Sequence, residues 1–147
     1  MTQHPSILEA FVKLGTFLSD YVEAKKNAGE FKPSWEIELE QIVSRAKHHN
    51  GWFTEGNMLF ALKSWSEQLT KKNLTAWLSN YDLSKNQTKK VAIIMAGNIP
   101  LVGFHDFLCV FISGHKAKIK LSDKDKFLVL FIFQTLLEIN PGTSLKT

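Results

Sequence analysis

The chain has 147 residues, which is enough for one domain with a substantial hydrophobic core. Its 44% hydrophobic and 22% charged residues are typical of a soluble globular protein, and its one cysteine excludes a disulfide framework. No basic segment followed by an apolar core begins the chain, so we predict no secretory signal. The most apolar run, residues 127–139, is interrupted by Gln134 and is shorter than a membrane span. We therefore expect a cytoplasmic protein with no membrane-spanning segment.

The net charge of +4 is unevenly distributed along the chain. Residues 1–50 contain six Lys or Arg against seven Asp or Glu, whereas residues 51–147 contain twelve against seven. The basic second part favours anionic ligands such as phosphates, because its positive potential attracts them. The excess is too small and too dispersed to indicate nucleic acid, so we predict no nucleic-acid partner.

Residues 1–87 are predicted to form a region of four amphipathic helices. A capping box that begins at Ser6 would open the first helix, Pro33 would open the second, and Thr54 would cap the third. The fourth would follow a break at residues 71–73. The positions predicted to face the core are, helix by helix, Ile7, Phe11, Leu14, Leu18, Tyr21 and Val22; Ile37, Leu39, Ile42, Val43 and Ala46; Met58, Leu59, Leu62, Trp65 and Leu69; and Leu74, Trp77, Leu78 and Tyr81.

Two adjacent histidines, His48 and His49, lie at the predicted end of the second helix. Neighbouring residues of a helix point in different directions, and neither histidine has a cysteine or carboxylate at metal-ligand spacing. We therefore predict a surface pair and no metal site, because cationic side chains are favoured at a helix C-terminus.

After a polar linker, residues 88–147 are predicted to form a βαβα unit. Val91–Met95 is a continuous apolar run, typical of a strand buried on both faces, and the alternating residues 116–121 indicate a second strand. Pro100 suits the first turn of an intervening helix over residues 101–112. The predicted fold class is therefore α/β, with a helical N-terminal region followed by an incomplete βαβα piece.

A last helix is predicted over residues 124–139, capped by Ser122 and Asp123. Residues 140–142 would end it, and the tail, residues 143–147, is too short for another element. Two strands are then the whole sheet of this chain, which is unusual because parallel sheets are normally larger and covered on both faces.

The turn after the first strand is the candidate functional position. In open α/β sheets ligands bind at the carboxyl ends of the strands, so Asn98 would lie where a side-chain amide can face a ligand. The turn does not contain the G-x-G-x-x-G fingerprint of dinucleotide-binding domains. The residues alone therefore indicate half of a nucleotide-binding-type domain.

The segment MAGNIPLVGFHDFLCVFISGHKAKIKLSDKDKF, residues 95–127, resembles the acyl-CoA reductase family, a branch of the aldehyde dehydrogenase superfamily that includes the fatty acid reductase of bacterial luminescence. The likeness is close over residues 91–127 and looser over the helical region before it. GNIP, at residues 97–100, and KLSD, at residues 120–123, each follow a predicted strand. The resemblance implies that the βαβα unit belongs to an aldehyde dehydrogenase-like, Rossmann-type cofactor domain.

The resemblance also implies a catalytic role for Asn98. In the superfamily an asparagine followed two residues later by a proline, here Asn98 and Pro100, donates a hydrogen bond to the substrate oxyanion while a cysteine thiolate attacks. The implied reaction of a complete family member is the reduction of a fatty acyl thioester, such as an acyl-CoA, to an aldehyde by NADPH. Preplaced donors suit this chemistry because negative charge develops on the thioester oxygen.

A cofactor-binding role is likewise implied for two short segments. The lysine, serine and acid that end the second strand of the superfamily contact the adenosine ribose and its 2′ substituent, and the turn before the asparagine lines the cofactor. The implied NADPH-binding residues of this chain are Met95, Ala96, Gly97, Lys120, Ser122 and Asp123.

The nucleophilic cysteine of the family lies downstream, in a region that this chain does not reach. Cys109 is predicted to be a core thiol, because an apolar setting raises the pKa of a thiol, although His105 one helical turn earlier could touch it. The chain therefore looks like the N-terminal piece of a reductase: a truncated product, an expressed fragment, or a subunit that awaits the rest. By itself it is not expected to turn over substrate.

A second interpretation is a non-enzymatic helical module that binds a partner protein. Its basis is the incomplete sheet, whose strand edges and helix faces would be left uncovered. A homo-oligomer is possible under either interpretation.

Overall fold

The computed structural model describes residues 3–31 and 33–141. Within these residues, and in chain order, lie α1 Gln3–Lys26, α2 Ser34–His49, α3 Glu55–Gln68, α4 Lys71–Leu78, β1 Lys90–Ile94, α5 Phe104–Ile112, β2 Lys116–Lys120 and α6 Lys126–Ile139. A helix-rich α/β fold with a parallel sheet is therefore confirmed. The predicted helix end at residues 140–142 is confirmed, because α6 ends at Ile139 and the Asn140 N–H donates to the Leu136 carbonyl. Gly142 and the tail, residues 143–147, lie outside the described residues.

The first helix starts earlier than predicted, and the second starts where predicted. The capping box at Ser6 is wrong as a helix start, because α1 already begins at Gln3. Pro33 directly precedes α2 with an extended backbone, and Asn50 ends that helix by donating its N–H to the Ala46 carbonyl.

Threonine side chains cap both α3 and α4. The Thr54 hydroxyl accepts a hydrogen bond from the Asn57 N–H at 3.2 Å, as predicted. The Thr70 hydroxyl accepts one from the Asn73 N–H, also at 3.2 Å. The predicted break at residues 71–73 is therefore wrong, because these residues are the capped first turn of α4.

One core joins the helices before and after the linker. α1 packs against α3, α4, α5 and α6, and α2 packs against α3 and α6. The ring of Phe11 in α1 makes edge contacts with Phe104, Phe107 and Phe111 of α5, at centroid distances of 6.2, 6.2 and 6.3 Å. Phe107 in turn packs on Phe133 of α6 at 4.6 Å. The helical region and the βαβα unit thus bury their aromatic side chains against each other.

Most of the predicted core positions in the first four helices are buried or half-buried. Two are wrong: Ile37 is 44% exposed and Tyr81 is 59% exposed. Tyr81 lies beyond the end of α4. The neighbouring residue Glu36, which was not predicted to face the core, is buried at 8% exposure.

The sheet has one covered face and one open face. β1 and β2 are parallel, with Ile94 paired to Lys120, and α5 packs on the inner face, where Ile93 and Ile119 are buried. The prediction of a first strand buried on both faces is wrong, because Ile94 is 81% exposed. The outer face also carries exposed lysines, at Lys90, Lys116, Lys118 and Lys120.

The helix after β1 begins later than predicted. α5 starts at Phe104, so Pro100 lies in a turn before the helix and not in its first turn. Leu101 has a φ of 60°, a left-handed conformation that an α-helix does not contain. A hydrogen bond from the Phe104 N–H to the Leu101 carbonyl, at 3.0 Å, closes a turn directly before α5.

The last helix also begins later than predicted. α6 starts at Lys126, so the predicted cap by Ser122 and Asp123 is wrong. Residues 122–125 form a turn in which the Asp125 N–H donates to the Ser122 carbonyl at 3.2 Å. Asp125, which directly precedes α6, makes no side-chain capping bond to that helix.

Candidate functional site

The carboxyl ends of both strands lie at one edge of the sheet. The Met95 N–H, directly after β1, donates a hydrogen bond to the Lys120 carbonyl at 3.0 Å. Parallel strands run in the same direction, so the residues that follow each strand emerge side by side. Asn98 and Lys120, predicted to follow neighbouring strands, therefore belong to the same edge of the sheet.

Gly97 and Ser122 hold the two strand-end turns together. Gly97 is buried, and a Cβ placed on it would overlap the Ser122 side chain, at 2.7 Å from the Ser122 Cβ. The Gly97 carbonyl accepts a hydrogen bond from the Asn50 side-chain amide at 3.3 Å, which ties the end of α2 to the same turn. Glycine is therefore required at this position by the close approach of the two turns.

Asn98 is exposed on the wall of a groove between α3 and the turn after β1, here called the aromatic groove. Its volume is about 450 Å³. It is lined by Trp52, Asn57, Phe60, Ala61, Ser64, Trp65, Asn98, Ile99, Pro100, Leu101 and Val102. None of these side chains is charged, so the groove favours an apolar ligand that presents a polar group to Asn98.

A second groove, here called the basic groove, shares Trp52, Asn98 and Ile99 with the aromatic groove. Its volume is about 630 Å³, and it is lined by His49, Asn50, Gly51, Trp52, Asn98, Ile99 and Lys124. Lys124 is exposed there and supplies a positive charge. Asn98 thus lies where an uncharged groove and a groove that favours anions meet.

The three residues predicted from the second strand end line neither of these grooves. Lys120 is exposed on the outer face of the sheet, and Asp123 is exposed in the turn before α6. Ser122 is half-buried against Gly97, and its hydroxyl accepts a hydrogen bond from the Lys124 N–H at 3.3 Å. The structure therefore brings Ser122 to the Gly97 turn and leaves Lys120 and Asp123 in solvent beside it.

The three predicted cofactor-lining residues before Asn98 also differ in exposure. Met95 is buried at 6% exposure and lies against Gly103 in the interior, whereas Ala96 is exposed. Gly97 contributes its carbonyl and its small size at the junction of the two turns. Of the predicted cofactor-lining trio, only Ala96 is exposed at this edge.

Asp125 is a polar group at this edge that sequence reasoning missed. The residue is 4% exposed, and Oδ2 accepts a hydrogen bond from the Leu101 N–H at 2.7 Å. Oδ1 is buried and has no hydrogen-bond partner among the described residues. Burial raises the pKa of Asp125 to about 7, although the bond from Leu101 opposes that rise. An acid directly before an apolar helix indicates a helix cap in sequence, and nothing in the pattern signals the long-range bond to Leu101.

Cys109 is half-buried on α5. The prediction of a core thiol is therefore met only in part, and the Cys109 Sγ lies 3.8 Å from His105 Nδ1, the contact that the sequence left as an alternative. Burial, and then the negative charge of Asp106, raise the pKa of the thiol. Cys109 is therefore held as a neutral thiol, which is a poor nucleophile.

The histidine pair lies at the surface, as predicted. His48 and His49 are both exposed, and the His49 ring packs on Phe127 at a centroid distance of 4.6 Å. Across residues 3–31 and 33–141, no group of three or more His, Cys, Asp or Glu side chains could hold a metal ion. None of the helices found in that part of the chain has the length and apolar character needed to cross a membrane.

Comparisons with protein-family models, with curated proteins and with solved structures find no match to the chain. The fold and the site therefore define the protein only as helix-rich α/β, with two grooves that meet at the carboxyl edge of a small parallel sheet. The acyl-CoA reductase resemblance stays a prediction.

Proposed function

We propose that the chain carries part of the site of an NADPH-dependent oxidoreductase of the acyl-CoA reductase type, within an aldehyde dehydrogenase-like cofactor domain. The complete protein would reduce a fatty acyl thioester to an aldehyde. The observation that carries this proposal is the position of Asn98 on the wall between the aromatic groove and the basic groove.

Asn98 is the proposed oxyanion donor. An exposed side-chain amide can donate to a thioester oxygen, whose negative charge grows as a nucleophile adds. The aromatic groove, lined by Trp52, Phe60 and Trp65, suits the apolar chain of a fatty acyl group beside that amide. Loss of one such donor typically lowers kcat by about 10²–10³-fold.

The cofactor would lie along the strand-end turns. The proposed contacts are Lys120, Ser122 and Asp123 toward the adenosine ribose, and Met95, Ala96 and Gly97 in the turn after β1. The donor set fits an anionic, phosphorylated ligand, because Lys120 is exposed at the strand end and Lys124 lines the adjoining groove. When bound, NADPH supplies the hydride for the reduction. The buried position of Met95 restricts its contribution to packing beneath the turn.

NADPH binding by the chain tests the cofactor site. We expect Lys120→Ala to weaken NADPH binding by about ten-fold, because a charge-assisted contact with the 2′-phosphate is lost. NADH, which lacks that phosphate, should bind both proteins equally. Nicotinamide fluorescence during titration measures both affinities.

The matched control for this experiment is Lys118→Ala. Lys118 is an exposed lysine of the same strand, two residues before Lys120 and on the same face of the sheet. Its removal changes the net charge by the same amount as the removal of Lys120. Equal losses in the two variants would assign the effect to general charge and contradict the proposed site.

A specific observation favours a second candidate function, binding of a partner protein. Trp52 is 77% exposed, Phe60 is 74% exposed and Ile99 is 56% exposed, and all three line the aromatic groove. Large apolar side chains exposed together often mark a protein interface. Because the groove carries no charged side chain, it does not repel a second copy of the chain.

Self-association over a wide concentration range distinguishes the two candidates. If the aromatic groove is an interface, sedimentation velocity should detect dimers that Trp52→Ser abolishes and Tyr81→Ser preserves, since Tyr81 is exposed outside the groove. A monomer at every concentration, together with quenching of tryptophan fluorescence by octanoyl-CoA, would support the acyl-binding function instead.

A further inference from the structure

The outer face of the sheet is uncovered within the part of the chain that the structure describes. Side chains alternate along each strand, and those that point inward lie under α5. The side chains that point outward are all exposed and form a surface here called the lysine face: Lys90, Ala92, Ile94, Lys116, Lys118 and Lys120. Because parallel sheets are normally covered on both faces, usually by helices, this surface has the position of an interface.

The lysine face consists of two adjacent stripes of different chemistry. The register of the strands pairs Ala92 with Lys118 and Ile94 with Lys120. β1 therefore contributes an apolar stripe, in which Ile94 is 81% exposed, and β2 contributes a stripe of three lysines. A partner that covers both stripes needs an apolar side next to an anionic side.

The positive charge of the lysine face is not neutralised within residues 3–31 and 33–141. None of its lysines forms an ion pair there, and none of its outward positions is an acid. The remaining residues, 1, 2, 32 and 142–147, contain two lysines and no acid. The net charge of +4 disfavours a second copy of the chain on this surface, because like charges repel. The complementary partner is therefore an anionic segment of a different protein.

The spacing of the lysine stripe matches that of an α-helix laid along β2. Alternate residues of a parallel strand are about 6.6 Å apart. Helix positions i, i+4 and i+8 lie on nearly the same side and are separated by steps of about 6.0 Å along the axis. Three carboxylates with this spacing can each meet one lysine, while the neighbouring side of the helix lies over Ala92 and Ile94.

We propose that the lysine face binds an acidic amphipathic α-helix of a partner protein, with carboxylates spaced i, i+4 and i+8 along the lysines of β2 and apolar side chains against the apolar stripe of β1. The proposal does not rest on the reductase function, although Lys120 belongs both to this face and to the proposed NADPH contacts. The variants that test it therefore leave Lys120 unchanged.

The probe is an alanine-based peptide of about 15 residues, with glutamates at i, i+4 and i+8 and a leucine directly after each glutamate. The control is an isomer that keeps the leucines and places the three glutamates on different sides of the helix. We expect the probe to bind about ten-fold more tightly, because only its glutamates form three surface ion pairs together. Fluorescence anisotropy of the labelled peptides in dilute salt measures both affinities. Equal affinities would reduce the effect to general charge attraction and overturn the proposal.

Isoleucine methyl groups locate the bound peptide. Ile94 lies on the lysine face, Ile99 lines the aromatic groove and Ile37 is exposed on α2. In protein labelled with ¹³C in its isoleucine methyl groups, the Ile94 signal should shift most and the Ile37 signal should stay constant. A constant Ile94 signal, or a larger shift at Ile99, would overturn the proposal, since the peptide would then lie elsewhere.

Lys116→Ala combined with Lys118→Ala tests the lysine stripe. Both side chains are exposed, so the fold should tolerate their loss. The preference for the probe over its isomer should fall from about ten-fold to about two-fold, because one of the three ion pairs remains. Lys13→Ala combined with Lys47→Ala removes the same charge from exposed positions of α1 and α2 and should keep the native preference. An unchanged preference in the β2 variant would also overturn the proposal.

A DNA duplex is the competing anionic partner. Its phosphates can pair with lysines, but its backbone offers no apolar surface to Ala92 and Ile94. Ile94→Ser should therefore weaken probe binding by about five-fold, whereas Ile37→Ser should leave it unchanged. Probe binding that Ile94→Ser does not weaken, or displacement of the probe by an equal concentration of a short duplex, would overturn the proposal, and the second result would assign the face to nucleic acid.

Discussion

The buried carboxylate of Asp125 is hydrogen-bonded to a residue with an unusual backbone conformation. Its Oδ2 accepts the N–H of Leu101, which lies 24 residues earlier and has a φ of 60°. Leucine rarely adopts this conformation, because its Cβ crowds the backbone. The bond therefore stabilises a turn that the local sequence disfavours, and it does so directly before Phe104 begins α5.

The raised pKa of Asp125 predicts a dependence of stability on pH. The pKa is 3.8 for an ordinary aspartate and about 7 in the folded protein, so the folded state binds the proton more tightly. This contribution to the free energy of unfolding is complete below about pH 4 and is lost as the pH rises through about 7. Between about pH 5 and about pH 8 the native protein should lose about 2–3 kcal/mol relative to Asp125→Asn. Urea unfolding at both pH values measures the difference.

The comparison with Asp125→Asn isolates this residue, because all other titrating groups are shared by the two proteins. Parallel pH dependences of the two proteins would mean that Asp125 keeps a normal pKa. The variant retains a side-chain oxygen that can accept from the Leu101 N–H, so the Leu101 turn can keep its hydrogen bond in both proteins.

Sequence reasoning at the level of single residues identified local roles and missed distant ones. Thr54 was identified because a helix cap depends on neighbouring residues, whereas the close approach of Ser122 that requires Gly97 is a distant contact that no local pattern signals. Asp125 was assigned no role, because its bond to Leu101 crosses an entire helix and strand of the chain. Asn98 was predicted at a strand end, but the two grooves beside it are formed by α2 and α3, which no local pattern relates to that turn.

The shortest helix among the described residues, α4, begins at a side-chain cap. It has eight residues, which is too short to be stable alone, and Leu74 is its one fully buried side chain. Thr70 supplies the bond that satisfies the Asn73 N–H. The sequence prediction began this helix after residues 71–73, since two lysines and an asparagine indicate a break when the preceding threonine is not recognised as a cap.

Thr70→Ala should destabilise the protein by about 1 kcal/mol, because the first turn of α4 loses its side-chain acceptor. Thr75→Ala, at an exposed position inside the same helix, removes a threonine without removing a cap, so it should not destabilise the protein. Thermal unfolding followed by circular dichroism measures both. A Thr70→Ala protein as stable as Thr75→Ala would mean that the cap contributes nothing.

The first strand shows why an element can be predicted correctly while the burial of its faces is predicted wrongly. A short apolar run such as Val91–Met95 does indicate a strand, and the strand forms over Lys90–Ile94. How many faces are covered depends on the helices that pack on it, and α5 covers one face. Ile94 therefore remains 81% exposed although its sequence context is that of a buried strand.

For the whole molecule, the decisive feature is the shared aromatic core. Phe11 of the helical region packs on three phenylalanines of α5, and Phe107 packs on Phe133. The sequence indicated a boundary near residue 87 from the polar composition of the linker. Composition reports where the chain is exposed, but it does not report which helix faces pack together across that point.

A shared core predicts that residues 1–87 and residues 88–147 unfold together. All four tryptophans lie in the first region, so their fluorescence reports its unfolding. Phe133→Ala, in the second region, should remove about 3–5 kcal/mol and shift the tryptophan transition together with the circular dichroism transition. Denaturant unfolding followed by both signals measures the shift.

Gln134→Ala is the control, because Gln134 is exposed on the same helix next to Phe133. It should leave both transitions near those of the native protein. If Phe133→Ala left the tryptophan transition in place, the two regions would be independent folding units.

The lysines on the outer face of the sheet have a consequence for solubility. Both strands have one edge without a hydrogen-bonded neighbour among the described residues, and such edges can pair with those of another molecule and lead to aggregation. When two such edges approach within the Debye length, about 8 Å at physiological ionic strength, the lysines of the two molecules repel each other and oppose pairing. Concentrated salt shortens the Debye length and would weaken that protection.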